Sequence, residues 1–395
     1  MLCGKERCSV IARFNSFSRV RARIDRMDLD GDSPPGVFVG RFGYPSVSIG
    51  PMIPPYHGDT SLLDTPERWV GLPIDDIIDF RLNMVRGTKR VDVMDVDSPS
   101  KMVNQTRELA LSRSPTGVYA EFEKKPFGRL SVSDDVQPFG PSAPLRKFDV
   151  ANIKFDQRLE KAFFDTDLKA RDAVTSLYKQ GVLVSQLQKA FSVGSFGIGK
   201  RRKFVPTRWS ITAVDSNLGL EMLETTKTFP SISEYRVYET TSLDNRWAIL
   251  MLPSSWRYEL IEAWYPNTAW NPHGEKIAIM SDHEFFDGRN TYASIGGCYY
   301  AARLAVNELL QGERRQAGVS IMREAHPGYI LPVGVWNVRE NVRAALRKPP
   351  KKFRELKEAL THISGMMDIP ISRWIRSSAI LKDALYQRRI DELWG

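Results

Sequence analysis

The sequence predicts an α+β fold: a mixed or antiparallel sheet core, a Pro- and Gly-rich N-terminal region and a helical, basic C-terminal region. Three observations carry this. Short apolar runs punctuated by Pro and Gly fill the first 150 residues, helical spacing of apolar residues dominates 155–190, and β-branched runs cluster at 209–286 before helical spacing returns. Strands and helices mix without regular βαβ alternation, and no period of about 20 to 50 residues recurs. The 395 residues suit two domains or one large one, and a hydrophobic content of 42% excludes a wholly disordered chain.

Along the chain, Val37-Phe38-Val39-Gly40, Gly43-Tyr44-Pro45 and Gly50-Pro51-Met52-Ile53-Pro54-Pro55 predict short strands and ordered loops. Proline lacks a backbone donor and fixes φ, which argues against long helix or central sheet here. Asp64-Thr65-Pro66-Glu67 has the signature of a helix start, with Asp64 or Thr65 as cap. Residues 91–98 alternate like a strand with one acidic face. Over 155–190, Leu159, Phe163, Leu168, Val174, Leu177, Val182 and Leu187 mark helix, broken in two at Gly181. Residues 209–215 read as a strand, and 234–240, 247–252, 258–264 and 276–280 as a meander. Helix returns at 291–311, 339–346, 351–363 and 378–390. These shifts suggest a cysteine element at 1–12, an α+β domain at 13–280, a C-terminal domain at 281–378 and a tail at 379–395.

Lys and Arg number 56 against 47 Asp and Glu, a net charge of +9 that favours a polyanion partner over no partner only modestly. The plainer alternative is an ordinary basic soluble protein. Apolar runs such as 247–252 fall far short of the roughly 20 residues that span a membrane. Charges at Lys5, Glu6 and Arg7 stand where a signal peptide needs apolar residues. Three cysteines, Cys3, Cys8 and Cys298, are too few for a secreted disulfide scaffold, so a reducing cytoplasm is expected.

Residues 194–200 fit the frame of a phosphate loop, Gly194 to Gly199 followed by Lys200, with Gly197 between. The next residue should carry a hydroxyl for Mg²⁺, and here it is Arg201; a helix also precedes the loop where a strand is required. An NTPase is therefore rejected. Phosphate contact remains, because the glycines let backbone amides approach an anion while Lys200, Arg201, Arg202, Lys203 and Arg208 add five positive charges with no acid between them. Trp209 and Phe204 are candidates to stack on a base. The competing reading is a solvated basic hairpin beside buried aromatics.

Two further groups bear on chemistry. Cys3 and Cys8 can present two thiolates to one zinc, but structural zinc takes four ligands, and two free thiols is the plainer reading. Asp282, His283 and Glu284 concentrate acids around a histidine in a segment suited to Mg²⁺ or Mn²⁺, with Asp215 as the residue to converge with them. A polar turn explains the segment equally well, as it does His273-Gly274-Glu275-Lys276. His326, within Arg323-Glu324-Ala325-His326-Pro327-Gly328-Tyr329, is a candidate acid or base, or one member of a structural ion-pair group. Together these support a rival function, a hydrolase acting on a nucleotide or modified DNA, although no nucleophile elbow, zincin helix or redox pair names a reaction.

The chain ends Gln387-Arg388-Arg389-Ile390-Asp391-Glu392-Leu393-Trp394-Gly395. One helical turn puts Ile390, Leu393 and Trp394 on one side, where they can plug an apolar pocket while Gln387 fixes register. This spacing matches the sliding-clamp (PCNA) interacting motif; the alternative is a terminal helix docked on its own core. Between 339 and 389 stand thirteen basic residues and five acids, so this segment matches nearly all of the net charge. Tethering to a clamp raises the effective concentration of such a basic surface at DNA.

Val37-Phe38-Val39-Gly40 with Gly43-Tyr44-Pro45, Ser114-Pro115, Pro138-Phe139-Gly140-Pro141, Lys200-Arg201-Arg202-Lys203 with Pro206-Thr207-Arg208-Trp209, Pro327-Gly328-Tyr329 and Val335-Trp336 together resemble the archaeal Nre DNA-repair proteins over nearly the whole chain. The resemblance implies a cytoplasmic, replisome-associated protein that aids repair of damaged DNA and binds the clamp through its tail. It also implies a four-cysteine zinc element, whose second half resembles Leu2-Cys3-Gly4-Lys5-Glu6-Arg7-Cys8; the first cysteine pair is missing, and Ser9 stands where the family has Pro.

Overall fold

The computed structural model describes residues 18, 21, 24–128 and 139–386. Cys3 and Cys8, and the tail residues Gln387, Ile390, Leu393 and Trp394, lie outside the described residues. The chain forms two compact units, Met1–Leu218 with Pro332–Val335, and Gly219–Leu331 with Trp336–Gly395. Each holds a mixed six-stranded sheet and helices, so the fold is α+β. The boundary drawn from the sequence at 280 falls inside a strand, Ala278–Glu284, of the second unit.

In the first unit the sheet comprises β1 (Asp28–Ser33), β2 (Val37–Val39), β3 (Ser46–Ile53), β4 (Val85–Asp92), β5 (Thr116–Phe122) and β6 (Ser142–Val150), in spatial order β1-β5-β6-β4-β3-β2. Only β4 and β6 pair in parallel. Strict alternation on β5 sends Val118, Ala120 and Phe122 into a core shared with Val47, Ile49, Val85, Leu145 and Phe148. Helices α1 (Ile74–Leu82), α2 (Lys101–Ala110), α3 (Gln157–Phe164), α4 (Ala170–Lys179) and α5 (Val184–Ser192) complete the layer beside it.

Several sequence expectations need correction here. Despite Pro51, β3 lies inside the sheet between β2 and β4. The missing donor is tolerated because Pro51 falls where the ladder skips from Ile49–Lys89 to Met52–Arg86, and because Gly50 lets the backbones close: a Cβ there would sit 2.0 Å from Gly87 O. The strand expected over 91–98 stops at Asp92, since the Asp92 and Asp95 carboxylates accept the amides of Met94 (2.9 Å) and Asp92 (3.0 Å) and turn the chain. Residues 64–67 form only short 3₁₀ turns, and Asp64 caps nothing; its carboxylate takes Arg81 and Lys189 instead. Three helices, not two, occupy 155–190. Asp156 caps the first, Asp165 ends it by accepting from Leu168 N at 3.0 Å, and Gly181 at φ +81° makes the second break. Residues 209–215 belong to a 20-residue helix, α6 (Thr207–Thr226), not a strand. Its apolar residues Val214, Leu218 and Met222 recur four apart and are buried, a period that a seven-residue window hides.

The second unit comprises β7 (Tyr235–Ser242), β8 (Asn245–Leu252), β9 (Arg257–Trp264), β10 (Ala278–Glu284), β11 (Gly318–Ala325) and β12 (Lys351–Phe353), with α7 (Gly297–Glu313), α8 (Trp336–Leu346), α9 (Leu356–Met366), α10 (Ile371–Ser377) and α11 (Ala379–Tyr386). The spatial order is β10-β9-β11-β8-β7-β12, so the predicted meander is wrong: β11 separates β8 from β9, antiparallel to the first and parallel to the second. Its eight residues are all buried. One sheet face packs Trp247, Ile249, Leu260, Val319 and Ile321 under α7 and α8; the other packs Ala248, Leu250, Ile261 and Met322 under Leu360, Ile363, Trp374 and Leu381. Burial on both faces explains why these strands read as continuous apolar runs. Residues 351–363 divide into β12 and α9, which starts with a Glu355/Glu358 capping box. Among the described residues, no helix is long and apolar enough to cross a membrane.

Candidate nucleic-acid interface

The Gly-rich segment joins α5 to α6 in the first unit. Gly194 ends α5 at φ +69°, and a Cβ there would lie 2.8 Å from Val96 and 2.9 Å from Lys203 O, so both conformation and space demand glycine. Gly197 and Gly199 continue the turn into a short 3₁₀ stretch, Gly199–Arg201. Arg202 is committed inside the fold: Nε donates to Gly197 O at 2.7 Å, Nη1 to Phe163 O at 2.6 Å and Nη2 to Asp165 O at 2.9 Å. Burial lowers its pKa below the ordinary arginine value. Arg202 therefore closes the loop, leaving Lys200, Arg201 and Lys203 exposed. Phe204 is fully buried beside the sheet and cannot stack on a base, which corrects that expectation. A cavity of about 290 Å³ sits against the loop, with Phe191, Phe196, Ile198 and Val205 as apolar walls and Lys169, Arg201 and Lys203 supplying charge.

Trp209 stands in the first turn of α6, its amide donating to Pro206 O at 2.8 Å, and the residue is 44% exposed. It meets Tyr44, itself 45% exposed, with ring centroids 5.1 Å apart at 56°. The loop that carries Tyr44 is fixed from two sides. Val39 N donates to Thr207 Oγ1 at 2.8 Å, and Arg90 Nη1 donates to Phe42 O at 2.9 Å. Phe42 is 79% exposed with the Arg41 guanidinium 5.1 Å from its ring centre. Sequence reasoning singled out Trp209 and missed Phe42 and Tyr44, although Arg41-Phe42-Gly43-Tyr44-Pro45, a cation and two aromatics in a turn, carried the signal. Arg208 is half-buried. Exposed aromatic faces between cations suit a single strand, whose bases stack and whose phosphates seek positive charge.

The candidate catalytic residues fall in both units, Asp215 in the first and Asp282, His283, Glu284 and His326 in the second, and those of the second unit do not assemble. Asp215, buried within α6, accepts from Gln188 Nε2 at 3.0 Å in the first unit. Asp282, His283 and Glu284 are consecutive on β10, so His283 faces away from its neighbours. Burial pushes the Asp282 carboxyl up, but Arg289 (2.9 Å) and the amides of Ser294 and His283 outweigh it and hold the pKa below the usual value. Glu284 is buried against Arg303 Nη1 (2.8 Å) and Trp256 Nε1 (3.1 Å). His326 stands past the end of β11; Asp282 is level with Leu260 of β9 and Ile321 of β11, two strands across and five residues before it. Residues 273–276 form a polar turn held by Asn271 Nδ2, which donates to Trp264 O at 2.9 Å and Lys276 O at 2.8 Å.

The family described as Archaeal Nre, N-terminal matches residues 2–271, and that described as Archaeal Nre, C-terminal matches residues 284–393. The chain is 40% identical to the DNA repair protein NreB of Archaeoglobus fulgidus, over 97% of this chain and 95% of the relative. It is 36% identical to the DNA repair protein NreA of the same organism, over 93% and 92%. With the DNA repair protein NreA of Haloferax volcanii it shares 34% identity over 92% and 88%. No solved structure matches. Matched from end to end by both halves of that family and by three full-length relatives, the chain belongs to the archaeal Nre family.

Proposed function

We propose that this protein is a DNA-repair factor that grips single-stranded or distorted DNA with its first unit and is held at the replication fork by its C-terminal tail. The observation that carries the DNA contact is the exposed Tyr44–Trp209 pair, standing near Arg41 and Arg90 and one short turn from Lys200, Arg201 and Lys203 in sequence. Stacking holds bases without reading them, and lysine and arginine neutralise phosphates, a combination suited to lesions whose sequence is unpredictable. The relatives named as DNA repair proteins support the same process. The tail supplies recruitment: Gln387, Ile390, Leu393 and Trp394 have the spacing that seats in the sliding clamp.

The two parts separate experimentally. Fluorescence anisotropy with labelled single-stranded DNA at several salt concentrations is expected to show binding that weakens and loses salt dependence when Lys200, Arg201 and Lys203 become alanine. Identical curves for parent and variant would remove the basic loop from the interface. Deleting residues 387–395 is expected to abolish clamp binding in a titration while DNA affinity is retained; clamp binding that survives the deletion refutes the tail assignment.

A further inference from the structure

The second unit carries a group of side chains that the DNA-contact reading does not use. At the end of β11, Glu324 and His326 point to a common spot, and Asp368, from the turn between α9 and α10, completes a triangle. His326 Nε2 lies 3.2 Å from Glu324 Oε2 and 4.0 Å from Asp368 Oδ2, and all three donor atoms fall within 4.8 Å of one another. We propose that Glu324, His326 and Asp368 bind one divalent transition-metal ion.

The distances suit an ion. A metal about 2.1 Å from each of three donors spaces them roughly 3 to 3.5 Å apart, so a small rotation of the exposed Asp368 side chain closes the set. The surroundings hold each ligand from behind. Glu324 Oε1 accepts from Ile369 N at 2.8 Å, which leaves Oε2, braced by Asp368 N at 3.2 Å, turned to the imidazole. Asp368 Oδ1 takes Arg246 Nη1, which leaves Oδ2 turned the same way. His326 is fixed by its amide, which donates to Asp244 O at 3.0 Å, and by its ring, stacked on Tyr265 at 4.3 Å and 24°. The next turn is pinned by the same residue, with Gly328 N donating to Asp244 Oδ2 at 2.6 Å. Asp368 thus commits one oxygen to Arg246 and presents the other, while Glu324 is held by backbone amides at both oxygens and turns Oε2 to the imidazole, an arrangement in which outer groups orient metal ligands.

Charge and donor type narrow the ion. Two carboxylates face one imidazole, and Arg246 offsets only Asp368. One negative charge remains, and a divalent cation more than balances it. One nitrogen and two oxygens favour Mn²⁺, Fe²⁺, Co²⁺ or Zn²⁺ over Ca²⁺ and Mg²⁺, which prefer oxygen alone. Glu324 is fully buried while the Asp368 side chain is 47% exposed, so the ion has an entry path and keeps positions for solvent or a ligand oxygen. The site is separate from 281–288, where the sequence had suggested such an ion.

The test uses the full chain with Cys3→Ser and Cys8→Ser, so that thiolates do not compete. Titration with Mn²⁺, followed by loss of the free-ion electron paramagnetic resonance signal, is expected to show one site per chain, displaced by Zn²⁺. His326→Ala and Asp368→Asn are each expected to weaken it at least about tenfold and to abolish the metal-induced rise in unfolding temperature, with unfolding in chelator little changed for Asp368→Asn. Should His326→Ala fail to fold, the exposed Asp368 variant alone decides. Absence of Mn²⁺ and Zn²⁺ binding by the parent, or parental affinity in Asp368→Asn, overturns the assignment and leaves an ordinary ion-pair group.

Discussion

Arg323 and Glu262 meet across the parallel pair β11–β9, Nη1 to Oε1 at 2.6 Å, with both side chains almost wholly buried. The guanidinium lies 4.9 Å from the ring centres of Trp247 and Trp264 and 5.4 Å from that of Tyr329, and its Nε donates to Asn245 Oδ1 at 2.9 Å. Burial pulls the Arg323 pKa down, but the Glu262 charge, the neighbouring Tyr329 and Cys298 and the hydrogen bond to Glu262 together outweigh it, and the net shift is upward. One side chain thereby ties β11 to both neighbours at a fixed register.

Breaking that pair leaves a buried charge without its partner. Glu262→Gln is expected to cost about 3 to 5 kcal/mol in urea unfolding. Replacing both residues, Glu262→Leu with Arg323→Met, is expected to recover most of that loss, because no charge is then stranded. A double variant as unstable as the single one would show that the pair itself is the net stabiliser.

Arg202 and Lys203 are neighbours with opposite expected phenotypes. Arg202→Ala removes three hydrogen bonds to carbonyls and is expected to lower stability by about 2 to 3 kcal/mol with DNA affinity at low temperature unchanged. Lys203→Ala is expected to leave the unfolding midpoint in place and to reduce the salt slope of DNA binding by roughly one. Anisotropy and thermal unfolding on the same preparations check both.

Trp209→Ala and Tyr44→Ala are each expected to weaken single-strand binding by about 1 to 3 kcal/mol while the salt slope stays as in the parent, since stacking involves no counterion release. The rings touch, so the double variant should lose less than the sum. Full additivity would mean that the two rings act at separate nucleotides.

Glu234 gives a pH signature. The Ser233 hydroxyl lowers its pKa; burial opposes this, and Arg236 and Lys352 add to the lowering, to about 2 from the ordinary 4.5. A depressed carboxyl stabilises the fold above the unfolded value and loses that contribution as pH falls toward the folded value. Glu234→Gln is therefore expected to cost about 1 kcal/mol at pH 7, after allowance for solvent screening, with the difference closing between pH 4.5 and 2. Urea midpoints along that series measure it.

The α+β class and most elements were legible because local patterns decide them: β7, β8 and β9 lie within two residues of their predicted ends. What failed depended on distant partners. Strand β11 carries Arg323 and Glu324, whose polarity hides a buried strand, and distant partners, Glu262 and Asn245 for the first and the amides of Asp368 and Ile369 for the second, render them fit for an interior. Trp209 was found because it adjoins a basic run, whereas Tyr44 becomes its partner only when β2 is tied to Thr207, 168 residues away. Glu324, His326 and Asp368 were seen singly or passed over for the same reason: 44 residues separate Glu324 from the amide of Asp368 that braces it.

The placement of β11 also dictates an order of events at the ribosome. Strands β8 and β9 leave the exit tunnel with a vacant slot between them, and more than 50 residues must follow before the strand that fills it appears. Until then β8 can pair only with β7 and β9 only with β10, and Trp247, Ile249 and Leu260 stand on two half-sheets that lack the central strand. The second unit must therefore close late, and general chaperones that shield apolar strands have their longest opportunity during synthesis of residues 265–325.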